Sequence, residues 1–226
     1  MGQDFRIMSG IQVFGLTLQE PYLEPEKQIE PPDQSSMLRM AVFVEGGMGL
    51  LAIGLGYLFG YHPLTMIHVE MDRWPDLLGL VAILPMFLFF LLIGKLNLEP
   101  FRLLRSRLDQ VILPLFRGLY LSDLFWLSLL AGVGEELLFR GFLHLWLADW
   151  LGIPAAVLLT ATLFGLVHWV TPMYALIAGL MGLLLSMSLL YTDNLLVAIL
   201  IHGLYDFLAL WYYLRVVHRA GPAEES

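Results

Sequence analysis

Long apolar runs, separated by short polar breaks, dominate the chain after its first 36 residues. Two runs cover 37–60 and 75–94, and a nearly continuous apolar stretch covers 118–214. Breaks with the sequences Gly-Ile-Pro, Thr-Pro and Thr-Asp-Asn, which are typical of turns and helix caps, divide that stretch. The pattern predicts four helices within it, at 119–150, 154–169, 172–190 and 195–214.

These runs are long enough to cross a bilayer, so we predict an all-α fold, a polytopic transmembrane helical bundle of six to seven helices. One span for each run gives six. The run at 119–150 has 32 residues, or about 48 Å of helix at ~1.5 Å per residue, which exceeds the ~30 Å bilayer core. A break at Gly132 and Gly134 would divide it and give seven.

Composition supports the membrane assignment, since 58% of the residues are hydrophobic and only 14% are charged. The chain contains no cysteine, which excludes a disulfide framework, a cysteine nucleophile and cysteine-ligated metal sites. No basic face is present to meet phosphate, so we expect no nucleic-acid partner. The partner that the composition predicts is the lipid bilayer.

Four segments of the chain differ in character. Residues 1–36, with six acids and four prolines, are predicted to be a flexible acidic N-terminal tail. Residues 37–117 hold two transmembrane helices and a basic cytoplasmic segment, placed there by the positive-inside rule. Part of that segment fits a helix along the membrane surface, and an ordinary solvated linker helix fits equally. Residues 118–214 form the apolar helical core, and 215–226 form a short C-terminal tail.

The first apolar run has two features of its own. Its small residues Ala52, Gly56 and Gly60 stand four apart, a spacing typical of a helix face that packs closely against a neighbour. Glu45 is the one acid inside this run. We therefore expect the helix to pack within the bundle.

Only seven acidic or basic residues interrupt the core at 118–214. Asp123, Asp149 and Asp193 stand at or near predicted helix ends, where capping or contact with water accounts for them. The others lie within apolar sequence, where each would cost about 2.5–3.5 kcal/mol at a helix centre on insertion scales. These residues, which need partners or a water-filled cavity, are Glu135, Glu136, Arg140 and Asp206.

Glu135 and Glu136 are adjacent on one predicted helix, so their side chains point about 100° apart. Arg140 follows Glu136 by four residues, the spacing at which a glutamate and an arginine meet. Arg140 can therefore neutralise Glu136, which leaves Glu135 without a local partner. A carboxyl group in that state is either protonated or available for chemistry with water. A structural ion pair beside a neutral glutamate is the alternative interpretation.

Two histidines on other predicted helices extend this set. His168 ends one helix, and His202 precedes Asp206 by four residues, so that the carboxyl group can orient or charge the ring. A lone histidine in a membrane helix is usually a packing residue. Two of them close to glycines, on helices separate from the glutamate pair, indicate a converging site. We interpret His144, one turn beyond Arg140, as a supporting or packing residue.

A glutamate with two histidines supports two kinds of chemistry. The glutamate can act as a general base on water, or a zinc ion can be bound by Glu135, His168 and His202. The GxSxG, HExxH and Gly-rich phosphate-loop patterns are absent. Both interpretations lead to hydrolysis inside the bilayer.

Three motifs, in order on successive apolar helices, resemble those of a known family. EELLFR at 135–140 fits EExxxR, FGLVH at 164–168 fits FxxxH, and HGLYD at 202–206 fits HxxxN/D. This pattern, over about 119–214, is similar to that of the CPBP family, the CAAX-prenyl-protease and bacteriocin-processing intramembrane proteases, also called Abi proteins. The resemblance implies an intramembrane endopeptidase for a membrane-associated protein or peptide substrate, in the cell (inner) membrane of a prokaryote.

By that resemblance, Glu135 would activate water with the help of His168, while His202 and Asp206 would stabilise the oxyanion of the tetrahedral intermediate. Glu136 counts as a further catalytic residue of this set. The residues expected to support the site are Arg140 and Phe164.

The resemblance leaves the cofactor open, because the family has been described both as zinc-dependent and as using a glutamate without metal. One residue departs from the eukaryotic CAAX enzymes, which carry asparagine where this chain has Asp206. An ionised aspartate cannot donate to an oxyanion. Asp206 must therefore be protonated, or act by holding His202 as imidazolium.

The predicted helices conflict with this site in depth. If the helix at 119–150 starts on the cytoplasmic side, Glu135 lies about 18–24 Å from that end at ~1.5 Å per residue, whereas His168 would end the next helix near the same side. Converging side chains need a common depth. A kink at Gly132–Gly134, a seventh span, or a helix that extends past His168 would each provide it.

Two other functions fit the same residues. A non-enzymatic membrane scaffold or immunity protein would keep the motifs for structure. A proton-coupled carrier would use Glu135 and Asp206 as a relay, although the chain has no visible inverted repeat.

Overall fold

The computed structural model describes residues 33–70 and 72–219, and all regular structure in this part is helical. The described residues all belong to one compact unit. The predicted tail 1–36 lies outside the described residues except at its end, where Asp33 caps the first helix. The α-helices are α1 Gln34–Phe59, α2 Trp74–Leu80, α3 Ile83–Lys95, α4 Glu99–Phe116, α5 Leu121–Glu136, α6 His144–Leu151, α7 Ile153–Val167, α8 Pro172–Thr192 and α9 Leu195–Trp211.

Four helical segments are long and apolar enough to cross a membrane: Gln34–Phe59, Trp74–Lys95, Pro172–Thr192 and Leu195–Val217. The helices Glu99–Phe116 and Leu121–Leu151 pass the same test only as a pair bent by 112°, which would make a fifth, broken span or a re-entrant loop. The all-α membrane fold is thus confirmed for the described residues, but the count of six to seven spans is not. The main reason is α7, whose 15 residues extend only about 22 Å at ~1.5 Å per residue.

The helix predicted at 119–150 is continuous and is not divided at its glycines. It runs from Leu121 to Leu151 as α5, a π-helical segment and α6. The alternative with a break at Gly132 and Gly134 is wrong, since both residues are buried within α5. The backbone widens instead into π-helical turns at Leu137–Leu143, directly after the two glutamates. Turns of this kind are rare in proteins as a whole, and those that occur are frequently at functional sites.

The glycines of α5 allow close backbone contact on two sides. A Cβ atom on Gly134 would lie 2.2 Å from the carbonyl oxygen of Glu45 in α1, and one on Gly132 would lie 2.9 Å from the backbone nitrogen of Gly203 in α9. Gly60 was expected in the seam of α1 but ends that helix in the left-handed conformation, with φ 82°. The buried seam of α1 consists of Gly49, Ala52 and Gly56.

We expect Gly134→Ala to destabilise the protein, although alanine is the better helix former. The added methyl would meet the α1 backbone at 2.2 Å, so α1 must move. Overpacking of this kind costs about 1–3 kcal/mol, against a gain of ~1 kcal/mol in helix propensity. The matched control is Gly54→Ala, where an added Cβ meets nothing within 4 Å. Thermal unfolding measures both variants, and equal melting temperatures would contradict the close contact.

A turn at Gly152 brings Glu135 and His168 to a common depth. Gly152 has φ 80° and ψ 160°, a conformation that glycine adopts readily, and it reverses the chain between α6 and α7. Glu135 lies 17 residues before this turn and His168 lies 16 residues after it. Both therefore stand about 24–26 Å from the turn at ~1.5 Å per residue. The conflict in depth between Glu135 and His168 is therefore removed by the short α7. None of the three solutions expected from the sequence is needed.

A buried polar network holds the start of α9, which carries His202. The side chain of Asn194 accepts a hydrogen bond from the amide of Leu196 at 3.0 Å and donates to Asp76 of α2 at 3.3 Å. Asp76 also pairs with Arg73 at 2.9 Å. Because both Asn194 and Asp76 are fully buried, this network ties the first half of the chain to the helical core.

Candidate active site

Glu135, His168 and His202 converge from α5, the end of α7 and α9. Oε2 of Glu135 lies 3.6 Å from Nε2 of His168 and 3.9 Å from Nε2 of His202. Both distances exceed a direct hydrogen bond and are within the reach of one bridging molecule. Glu135 is only 7% exposed, and its Oε2 has no hydrogen-bond partner among the described residues. The structure thus brings together the carboxyl group and the two imidazoles that the sequence indicated.

The last turn of α7 orients the ring of His168. Nδ1 of this ring lies 2.8 Å from the carbonyl oxygen of Phe164. Since a carbonyl oxygen only accepts, Nδ1 carries the hydrogen. In the neutral ring, Nε2 then presents its lone pair toward Glu135. The FxxxH spacing corresponds to one helical turn, across which the ring folds back onto the backbone.

Glu136 connects the two parts of the site. Its Oε1 lies 2.7 Å from Nη1 of Arg140 and 2.9 Å from Nδ1 of His202. The pairing with Arg140 follows from helical spacing, whereas the contact with His202 joins residues 66 positions apart. Because the carboxylate accepts, Nδ1 of His202 carries its hydrogen, and Nε2 is directed toward Glu135.

The guanidinium of Arg140 is fully buried in room that a glycine provides. Its Nη2 donates to the carbonyl oxygen of Gly182 at 2.8 Å, and a Cβ atom on Gly182 would lie 3.0 Å from that nitrogen. Cζ lies 4.5 Å from the ring centroid of Phe164, in a cation–π contact. The same ring packs against His168 and His202, with centroid distances of 4.5 and 5.7 Å. Phe164 is therefore the apolar centre around which the charged groups are arranged.

Asp206 lies on the open side of the site. Its Oδ2 is 3.4 Å from Nε2 of His202, as the four-residue spacing predicts. The side chains of Asp206 and His168 are 36% and 26% exposed, whereas that of Glu136 is fully buried. A substrate can therefore approach past Asp206 and His168 but not from the side of Glu136.

The other polar residues of the core stand apart from this group. Asp123 closes a capping box at the start of α5, Asp149 accepts a hydrogen bond from the hydroxyl of Tyr61 at 2.7 Å, and Asp193 is the C-cap of α8. His144 is buried, and its Nδ1 has no hydrogen-bond partner among the described residues. The placement of the three aspartates at helix ends agrees with the interpretation from the sequence.

One acid near the site cannot be connected with it by sequence patterns. The backbone of Glu45 in α1 packs against Gly134, the residue before Glu135. The carboxylate of Glu45 interacts electrostatically with His202 and Asp206. An isolated acid in an apolar run was a visible signal. Spacing along one helix, however, does not show which other helix it will face.

The zinc expectation has no direct support in the geometry. Within 33–70 and 72–219, no group of three or more His, Asp or Glu side chains is arranged to hold one metal ion. Zinc ligation by Glu135, His168 and His202 stays a prediction.

Comparison with known proteins gives one match. Residues 117–208 match the family described as "Type II CAAX prenyl endopeptidase Rce1-like". No curated protein and no solved structure matches the chain. The matched segment contains all three motifs, together with the helices that bring Glu135, His168 and His202 into contact range. The helical core of the chain, residues 117–208, is thus similar to the CAAX prenyl endopeptidases, and this match supports the CPBP/CAAX protease family that the three motifs resemble.

Proposed function

We propose that this protein is an intramembrane endopeptidase in which Glu135 activates water for attack on a peptide bond of a membrane-associated protein or peptide. The observation that supports this most directly is the approach of Glu135 Oε2 to Nε2 of His168 and of His202, at 3.6 and 3.9 Å, within an apolar helical bundle. On the basis of the resemblance, we assign this reaction to the cell membrane of a prokaryote.

In the proposed reaction the attacking water binds between Glu135 and Nε2 of His168. Glu135 takes one proton as the water oxygen bonds to the carbonyl carbon of the scissile peptide bond. The carbonyl oxygen becomes the oxyanion of a tetrahedral intermediate. Glu135 then returns the proton to the amide nitrogen as the C–N bond breaks, and the products are an amine and a carboxylic acid.

The oxyanion is stabilised from the side of α9. Nδ1 of His202 donates a hydrogen bond to Glu136 at 2.9 Å. In the imidazolium form Nε2 also carries a hydrogen, and it donates a hydrogen bond to the oxyanion. Asp206, 3.4 Å from the same Nε2, either donates to the oxyanion as a neutral acid or holds His202 as imidazolium. Glu136 and Arg140 hold His202 in this orientation and do not touch the substrate.

A cleavage assay with purified protein in liposomes tests the function. The probes are a farnesylated CAAX peptide, the same peptide without its lipid, and a mixture of membrane-anchored peptides, with products identified by mass spectrometry. We expect new amino and carboxyl ends in at least one probe with the parent protein and none with Glu135→Gln. Cleavage of the farnesylated probe alone would assign the CAAX substrate. Activity that a zinc chelator removes and zinc restores would make Glu135 a metal ligand instead.

The two other functions predict different outcomes. If no probe is cut and Glu135→Gln supports the cellular phenotype as well as the parent does, the protein is a scaffold or an immunity protein. If the liposomes accumulate a solute under a pH gradient and Glu135→Gln abolishes that uptake, the protein is a carrier.

Asp206→Asn is expected to keep most of the cleavage rate, because the asparagine amide donates a hydrogen bond at the same position without a charge. Asp206→Leu removes the donor and should lower kcat by about 10²–10³-fold, the usual effect of losing one oxyanion-hole donor. Rates with the same probe and matched melting temperatures decide the point. If Asp206→Asn is as slow as Asp206→Leu, Asp206 acts as an anion that holds His202 as imidazolium.

A further inference from the structure

Glu45 is the only acid of α1 within the described residues, and it lies beside the candidate active site although it is outside the matched segment 117–208. The backbone contact between Glu45 and Gly134 is so close that only a glycine fits there. Because Gly134 directly precedes Glu135, this contact holds the backbone of Glu45 close to that of Glu135. Its carboxylate interacts electrostatically with Glu135 and with His202 and Asp206 of α9.

The carboxylate of Glu45 has an unused acceptor. Its Oε2 is shielded from solvent and has no hydrogen-bond partner among the described residues. A shielded acceptor without a donor costs free energy, so a donor that reaches it binds favourably. Oε2 of Glu135 is in the same state, and Glu135 is more than nine-tenths buried. Two acceptors that lack donors thus lie on two neighbouring helices, α1 and α5, at the candidate site.

Glu45 lies toward the more exposed end of the site. It interacts electrostatically with Asp206, whose side chain is 36% exposed. A peptide that approaches Glu135 past Asp206 therefore comes near Glu45.

The charge of the site is unbalanced on this side. Four carboxyl groups surround His202, and among the described residues only that of Glu136 has an arginine partner. Both Nη atoms of Arg140 are already engaged, one by Glu136 and the other by the carbonyl oxygen of Gly182. The imidazolium form of His202 lies near Glu135, Glu136 and Asp206, so His202 and Arg140 supply fewer positive charges than the carboxyl groups around them can supply negative ones. The carboxyl groups without an arginine partner in the described part of the site are Glu45, Glu135 and Asp206.

We propose that Glu45 determines specificity by pairing with a lysine or arginine side chain of the substrate next to the scissile bond. The inference rests on the proposed function, because it names a substrate feature for the same site. A cationic side chain supplies the donor that Oε2 of Glu45 lacks, and it adds a positive charge next to this carboxylate. An apolar side chain at the same position supplies neither. Glu45 does not touch the reacting atoms, so its effect belongs to substrate binding.

The experiment uses the full chain in liposomes and a pool of membrane-anchored peptides with random residues. Mass spectrometry of the products gives the residues on either side of each cut bond. One cleaved sequence is then resynthesised with lysine at the enriched position and, as its partner, with norleucine, which has the same stem without the ammonium group. We expect the lysine peptide to have a kcat/KM about tenfold higher or more, mainly through a lower KM, as for a site that recognises a charge.

The variant Glu45→Gln should bring this ratio close to one while the rate on the norleucine peptide stays near that of the parent. Glu45→Leu provides a second test, and cleavage of the norleucine peptide shows that each variant is folded. The charge-matched control is Glu70→Gln, an exposed glutamate beyond α1, which should keep the preference for lysine.

Each possible result of this experiment either supports or overturns the pairing of Glu45 with a basic side chain of the substrate. Cleavage without enrichment of basic residues, or a ratio that survives both Glu45 variants, overturns this inference and leaves the protease function intact. Absence of any cleavage by the parent overturns the proposed function and this inference with it. Loss of the lysine preference in Glu45→Gln but not in Glu70→Gln supports the pairing.

Discussion

Glu135→Gln is expected to abolish hydrolysis and to leave the fold nearly as stable as the parent. The amide cannot take a proton from water, and loss of a positioned general base typically lowers the rate by about 10²–10⁴-fold. The stability should change little, since Glu135 lies 3.6 and 3.9 Å from the two imidazoles and forms no ion pair with an arginine in the described part of the chain. Initial rates on a cleaved peptide and thermal unfolding in detergent measure the two effects together.

Glu99→Gln is the control for Glu135→Gln, because it also exchanges one carboxylate for an amide but at an exposed position in the first turn of α4. It should keep both rate and melting temperature. A Glu135→Gln protein that cleaves at the parent rate would remove Glu135 as the base. One that unfolds at a much lower temperature would show that its carboxylate is a structural anion.

Glu136→Gln and Arg140→Ala are expected to lower the free energy of unfolding along with activity. Both side chains are fully buried and pair at 2.7 Å. Removing one partner strands the other charge in an apolar environment, which typically costs about 3–5 kcal/mol. Loss of Glu136 also frees Nδ1 of His202, so the ring loses the contact that orients it. The free energy of unfolding, measured with denaturant, and the cleavage rate should therefore fall in parallel.

A double variant separates the two roles of Glu136. Glu136→Leu combined with Arg140→Met removes both charges at once, and buried pairs replaced in this way often keep or gain stability. The double variant should recover much of the lost stability but not the activity, because His202 still lacks its acceptor. If Glu136→Gln is merely inactive and Glu135→Gln unfolds, the assignment of the two glutamates must be exchanged.

The sequence predicts those parts of the site that lie within one helical turn. The pairing of Glu136 with Arg140, the approach of Asp206 to His202 and the return of His168 onto its own helix all span four residues. The periodicity of the α-helix determines such contacts wherever the helix packs. Run length and the scarcity of charge indicate in the same way that the fold is helical and membrane-bound.

The number of spans is not predictable in this way. An apolar helix that is buried against other helices and one that crosses lipid have the same composition, so hydropathy counts α7 as a span although it has only 15 residues. The length of α7 has a consequence for the site. Helix α7 ends at the depth of Glu135, whereas a helix long enough to cross the bilayer would carry His168 beyond that depth.

What the sequence by itself determined is an all-helical membrane core with a set of polar residues that cannot face lipid, and the local pairs among them. What only the tertiary structure decided is which residues of different helices meet. The contact of Glu136 with His202 joins residues 66 positions apart, and Glu45 reaches the site from a helix outside the matched segment. Both depend on the height and spacing at which helices pack. Backbone contact at Gly132 and Gly134 and the turn at Gly152 set that packing, and no periodicity along one helix encodes it.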